Sequence, residues 1–190
     1  SLNDSSEGGS LPVSACPAVR RQAGAYGGKD EIIFVPDKYL ADFVSKKTGR
    51  VLISWDGYCP THVKIMPEDI LRQIRLHPHA KVIVHPECRP EVIALSDEAL
   101  STSGMCKYVK ISPDKEFIIG TEVGLIYRLH KDNPTKKFYP ASELATCPNM
   151  KRNTLEKVLW ALEEMKEEVK VPESIRSKAL KAIQKMLAIT

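Results

Sequence analysis

Two cysteines each open a Cys-Pro turn, Cys59-Pro60-Thr61-His62 and Cys147-Pro148-Asn149-Met150. Each turn follows a stretch in which strand-like and helix-like segments alternate. Two similar α/β units, each presenting one thiolate from a loop, suit a shared metal or iron–sulfur centre. The chain has five cysteines, an odd number that disfavours a complete disulfide framework and points to metal binding or catalysis. Other proton-active groups stand nearby. Trp55-Asp56-Gly57-Tyr58 leads into Cys59, and Val84-His85-Pro86-Glu87-Cys88 ends a second apolar run. Titratable side chains directly after a buried strand are poor packing choices. In open α/β sheets, ligands gather in the crevice at those strand ends.

These residues admit more than one chemistry. Cys59, His62, His85 and Cys88 have the types and spacing of a structural zinc site. In the plainer reading, Cys88 is a small buried hydrophobe and His85 bonds locally. Ser101-Thr102-Ser103-Gly104-Met105 reads as a turn before a strand, either a cradle for a carboxylate or phosphate or an ordinary loop. Thr121-Glu122 sets another carboxylate at a strand end, as a site group or as a cap for a following helix. Cys147 precedes a helix start at Met150 and Lys151, where free N–H groups favour a thiolate. Cys106 reads as structural.

The elements that position these groups alternate. Ile32–Val35, Val51–Trp55, Val82–Val84, Tyr108–Ile111 and Phe117–Ile119 are near-continuous apolar runs, the habit of strands buried on both faces of a parallel sheet. Helical segments are expected at Lys38–Lys47, Pro67–Leu76 and Pro90–Leu95, with Pro67 in a first turn. The alternation implies βαβ units with right-handed crossovers. Two helices are expected after them. Asn153 caps the first, which runs to Val169. Pro172 and Glu173 begin the second, with Ile175, Leu180, Ile183 and Leu187 packed inward on the sheet. The expected divisions are a loosely packed lead-in at 1–28, the remainder of one α/β domain at 29–62, a second at 63–150 and C-terminal helices at 151–190.

Composition limits the function classes. The chain has 190 residues, 43% hydrophobic and 27% charged, ordinary values for a globular protein. Its 28 basic residues exceed its 24 acidic ones by a scattered net +4, which suits small anionic ligands rather than nucleic acid. No apolar run is long enough to span a membrane, and the N-terminus lacks a secretory pattern. A reducing cytoplasm is the expected compartment.

In order and spacing, one set of strings is specific. It comprises Phe34-Val35-Pro36-Asp37-Lys38-Tyr39-Leu40, Trp55-Asp56-Gly57-Tyr58-Cys59 with His62, His85-Pro86-Glu87-Cys88, Ser101-Thr102-Ser103-Gly104-Met105, Phe117-Ile118-Ile119-Gly120-Thr121-Glu122, Cys147-Pro148-Asn149-Met150-Lys151 and Thr154-Leu155-Glu156. From about Lys29 onward the chain resembles quinolinate synthase, the iron–sulfur enzyme of NAD biosynthesis.

The resemblance implies three similar α/β domains around a pseudo-threefold axis, each giving one cysteine to a 4Fe–4S cluster. Cys59 and Cys147 would be two of these ligands, and the fourth iron would stay open to substrate. The implied reaction condenses iminoaspartate with dihydroxyacetone phosphate to quinolinate, releasing phosphate and water. An aspartate-oxidising enzyme would supply the iminoaspartate. Matching positions imply Glu87 and His85 as acid–base groups lining the substrate site. They also imply Thr102, with Ser101 or Ser103, as holder of a substrate carboxylate or phosphate, and His62 as a further polar contact.

The chain also departs from the pattern. Family members carry a further domain ahead of this region, holding the third cluster cysteine. Their Tyr-x-Asn and Thr-Ser-Ala-Asn motifs find no good match in the first 28 residues. Cys16-Pro17 resembles a third ligand turn at the wrong place in the order. The expectation is a truncated or split member whose two cluster cysteines anchor a cluster poorly. The competing expectations are a non-catalytic α/β domain that binds a dicarboxylate and a zinc-stabilised structural domain.

Overall fold

The computed structural model of the chain describes residues 31–165 and 168–188. The lead-in expected at 1–28, with Cys16, lies outside the described residues.

The strands form two parallel sheets. The first joins β1 (Ile32–Phe34) to β2 (Leu52–Ser54) through helix α1 (Lys38–Thr48). Asp37 caps α1, its Oδ1 accepting from the N–H groups of Tyr39 and Leu40 at 2.8 Å each. Gly49 ends the helix with φ 68°, a left-handed value that glycine adopts without a Cβ clash.

The second sheet has the strand order β4-β3-β5-β6. Its strands are β3 (Lys81–Val84), β4 (Glu98–Ala99), β5 (Glu116–Gly120) and β6 (Lys137–Pro140). Connecting them are α2 (Pro67–Leu76) ahead of β3, then α3 (Pro90–Ile93), α4 (Thr102–Ile111) and α5 (Leu125–Asp132). Alternate side chains of the two central strands supply two cores, as a period of two requires. Val82, Val84 and Ile118 join Ile65, Ile70 and Val92 on one face. Ile83, Phe117 and Ile119 join Met105, Val109 and Leu129 on the other. The sheet is therefore covered on both faces, as its apolar strands imply.

The expected alternation holds, with several corrections. Tyr108–Ile111 is the last turn of α4 and not a strand, because Ser101 caps a helix that buries Met105 and Val109 four residues apart. The Ser101–Met105 segment is accordingly a helix start and not a turn before a strand. Two strands went unforeseen, the two-residue β4 and the edge strand β6, whose closing Pro140 is tolerated because only one neighbour pairs with it. The two C-terminal helices are α6 (Leu155–Glu164), capped by Thr154 rather than Asn153, and α7 (Glu173–Leu187). They present their apolar residues to solvent: Ile175, Leu180, Ile183 and Leu187, expected to pack inward, are all exposed. Amphipathic spacing defines an apolar face but not what covers it.

Candidate active site at the sheet's switch point

The order β4-β3-β5-β6 creates a crevice. From β3 the chain passes to β4 on one side, and from β5 it passes to β6 on the other. The C-terminal ends of β3 and β5 are thus where connections diverge, the place at which open parallel sheets bind ligands. The loop after β3 carries His85 and Glu87, and the loop after β5 carries Thr121 and Glu122. The short turn His62–Lys64, just ahead of α2, brings His62 to the same place.

His62 is buried and uses both ring nitrogens. Nδ1 lies 3.0 Å from Glu87 Oε2, and Nε2 lies 3.0 Å from Thr121 Oγ1. His85 Nδ1 accepts from the backbone N–H of Glu87 at 3.3 Å, so its neutral ring carries the proton on Nε2. The same nitrogen is 3.9 Å from Glu87 Oε2. Arg89 Nε donates to Val63 O at 3.2 Å and ties the β3 loop to the His62 turn.

Burial sets the charge states. Desolvation lowers the His62 pKa below its ordinary value and, with the neighbouring His62 ring, lowers that of His85 to about 4. Desolvation raises the Glu87 carboxyl above its ordinary value, with the nearby Asp37 adding to it. The cluster is therefore a pair of neutral imidazoles beside a carboxyl that holds its proton more firmly than usual. Such a carboxyl is suited to giving and taking a proton.

Cys59 is placed by a residue whose role went unforeseen. The buried Asp37 carboxylate caps α1 through Oδ1 while its Oδ2 accepts from the Cys59 N–H at 2.8 Å. One side chain thus fixes both a helix start and the cysteine turn. A Pro-Asp before a helix start was the available signal. Cys147 comes to the same side of the molecule. Its thiol is held below its ordinary pKa by the backbone N–H of Met150, and also by the Thr61 side chain and the Asn149 N–H. Thr61 belongs to the Cys59 turn, so the two Cys-Pro turns meet. Burial works against the ionised form of Glu122, yet hydrogen bonds from the Gly124 N–H, Lys151 and the Cys147 N–H hold its carboxyl below the usual range. Glu122 therefore steadies the Cys147 turn: its Oε1 accepts from Cys147 N at 3.3 Å and its Oε2 from Gly124 N at 2.8 Å.

Other expected site groups stand differently. Cys88 is fully buried in one core, its thiol pushed up to about 12 by burial and donating to Gly120 O at 3.5 Å. It behaves as a small hydrophobe. Cys106 lies on α4, at the edge of the opposite core. Ser101 Oγ accepts from Gly104 N at 3.2 Å and lies 3.3 Å from Ser103 Oγ. Ser101, Thr102 and Ser103 are exposed at the start of α4, beyond the end of β4 and beside the end of β3. Thr121, whose contact completes the His62 environment, was visible only as part of a strand-end string.

The family model described as quinolinate synthetase A protein matches residues 15–188. This chain belongs to that family. A quinolinate synthase of Thermodesulfovibrio yellowstonii is 57% identical over 159 residues, covering 83% of this chain and 52% of the relative. One from Dehalococcoides mccartyi strain CBDB1 is 54% identical over 160 residues, covering 84% and 53%. One from Methanosarcina barkeri is 52% identical over 160 residues, with the same two coverages. The chain spans about half the length of these quinolinate synthases. No helix among the described residues is long and apolar enough to cross a membrane.

Proposed function

We propose that this chain supplies the acid–base site and two metal-binding thiolates of quinolinate synthase, which joins iminoaspartate to dihydroxyacetone phosphate with loss of phosphate and water. The observation that carries this reading is Glu87 at the switch point. Its carboxyl is desolvated, 3.0 Å from His62 and 3.9 Å from His85.

The condensation and the dehydrations after it need a group that alternately donates and accepts a proton. Glu87 serves as that general acid–base. His85, with its proton on Nε2, donates a hydrogen bond to substrate oxygen. His62 is the further polar contact, its ring orientation fixed by Thr121. Ser101, Thr102 and Ser103 take a substrate carboxylate or phosphate, using their hydroxyls and the N–H groups at the start of α4. Neutral imidazoles suit this work, since they offer donors without holding an anionic product too tightly.

Cys59 and Cys147 fit two ligand positions of a 4Fe–4S cluster: they come from meeting turns, and the Cys147 thiol is biased toward thiolate. When bound, such a cluster supplies an iron that acts as a Lewis acid. Four cysteines among the described residues are free thiols, in keeping with a reducing cytoplasm.

The test uses the chain completed with the family's further domain, reconstituted anaerobically and supplied with both substrates. Quinolinate formation is expected, together with a loss of at least about 100-fold in Glu87→Gln at unchanged iron content. Undiminished turnover by Glu87→Gln removes that residue from the mechanism. No quinolinate from the unmodified chain instead favours a non-catalytic domain that binds a dicarboxylate.

A further inference from the structure

Cys59, His62 and Glu87 bring three different metal-binding atom types together, all within 4.8 Å of one another. We propose that these three residues form a mononuclear site for a divalent ion of the zinc class, which shares only Cys59 with the proposed cluster and needs no contribution from Cys147.

The donor chemistry is selective. One thiolate sulfur, one imidazole nitrogen and one carboxylate oxygen suit a borderline ion such as Zn²⁺, whereas Mg²⁺ or Ca²⁺ would ask for oxygen alone. With metal–nitrogen and metal–oxygen bonds of about 2.0–2.1 Å, tetrahedral geometry sets the N and O ligands about 3.3 Å apart, and the sulfur about 3.6 Å from either. The His62 Nδ1–Glu87 Oε2 separation of 3.0 Å is already close to the first value. The Cys59 sulfur needs at most a small movement of an exposed loop. Three protein ligands leave a fourth position for water or substrate, the pattern of open rather than structural zinc sites.

The surroundings are also those of a ligand histidine. A metal-bound imidazole usually gives its other N–H to a fixed acceptor, which sets tautomer and orientation. His62 Nε2 faces Thr121 Oγ1 at 3.0 Å, which directs Nδ1 at Glu87. Asp37 holds the Cys59 backbone at 2.8 Å, so the sulfur is carried on an anchored turn. On binding, the ion takes the place of the proton in the His62–Glu87 hydrogen bond, and that proton and the Cys59 thiol proton both leave to solvent.

This set shares Cys59 with the proposed cluster. The two occupants therefore exclude one another, and a zinc-loaded chain resists cluster assembly.

Cobalt(II) is the probe, titrated anaerobically into the reduced, metal-free full chain. One equivalent should bind, with a thiolate-to-cobalt charge-transfer band and the visible bands of tetrahedral cobalt, and one equivalent of Zn²⁺ should displace it. Cys59→Ser should lose the charge-transfer band. His62→Gln and Glu87→Gln should each weaken binding at least tenfold. Glu87 sits at the rim, so its variant tests the site even if His62→Gln unfolds. Cys147→Ser and Cys88→Ser should bind as the unmodified chain does. The proposal is overturned by no stoichiometric binding, by binding that survives Cys59→Ser with its sulfur band, or by binding lost in Cys147→Ser. Failure of the quinolinate reading shows separately, since a cluster requires both Cys59 and Cys147 and this site requires only the first.

Discussion

His62 and His85 lie face to face, their ring centroids 4.3 Å apart and their planes 4° from parallel. The stack comes from two loops that meet at one sheet edge, and it makes the charge of each ring depend on the other. A proton on one imidazole would sit against its partner in a desolvated place, so both stay neutral. Glu87 contacts the pair and would ordinarily favour a charged histidine, but burial prevails.

The stack predicts how stability responds to acid. The ordinary histidine pKa is 6.5 and that of folded His85 is about 4. Between these values the unfolded chain binds a proton that the folded chain refuses, so stability rises with pH there. It is complete above pH 6.5 and declines as pH falls toward 4. His62, also lowered, acts in the same sense. Glu87, raised, acts in the opposite sense: its contribution is present below its unfolded value of 4.5 and is lost as pH rises through its folded value. The large lowering at His85 sets the net direction. The thermal midpoint should be lower at pH 5 than at pH 7, and His85→Gln should shrink that difference. An unchanged difference in the variant would show that His85 is not the source.

Cysteine reactivity should separate sharply. The Cys147 thiol is lowered by the Met150 N–H first, then by Thr61 and the Asn149 N–H, whereas burial pushes Cys88 up to about 12. Thiolate is the attacking form, so iodoacetamide at pH 7.5 should label Cys147 at least about 100-fold faster than Cys88. Peptide mapping by mass spectrometry over a time course measures both. Comparable rates would mean that Cys88 is not closed off in the core.

Gly120 is where the sheet permits its close approach to the site. A Cβ at this position would lie 2.7 Å from Val84 Cγ1 and 3.0 Å from Val84 Cβ, on a neighbour with no room to give. Gly120 O also accepts from His85 N at 2.9 Å, so any shift is passed to the histidine stack. Gly120→Ala should cost about 1–3 kcal/mol by overpacking. A denaturant titration measures this, and a midpoint equal to that of the unmodified chain would contradict the close packing.

The site was half legible before any fold was known. His85 and Glu87 directly follow one apolar run and Cys59 with His62 comes a few residues after another, and that placement marks strand ends wherever the strands go. Their partners were not legible, because Glu87 lies 25 positions from His62 and Thr121 lies 59 positions from it. Only the strand order, with β5 beside β3, brings Thr121 into contact. Cys88 shows the reverse: its neighbour Glu87 marks a site, but one step along the loop its own side chain turns into the core.

Local pattern decided α1, α2 and the central strands, since continuous apolar runs and capped amphipathic stretches each have one low-energy backbone. It did not decide Tyr108–Ile111, where strand-like residues sit inside a helix capped by Ser101, nor β6, whose polar edge position needs only one paired side. The faces of α6 and α7 follow from spacing, while their exposure does not. Sequence fixes which side chains seek burial and which stand at strand ends. Tertiary structure decides which surfaces meet, because strand order and helix docking depend on contacts between segments far apart along the chain.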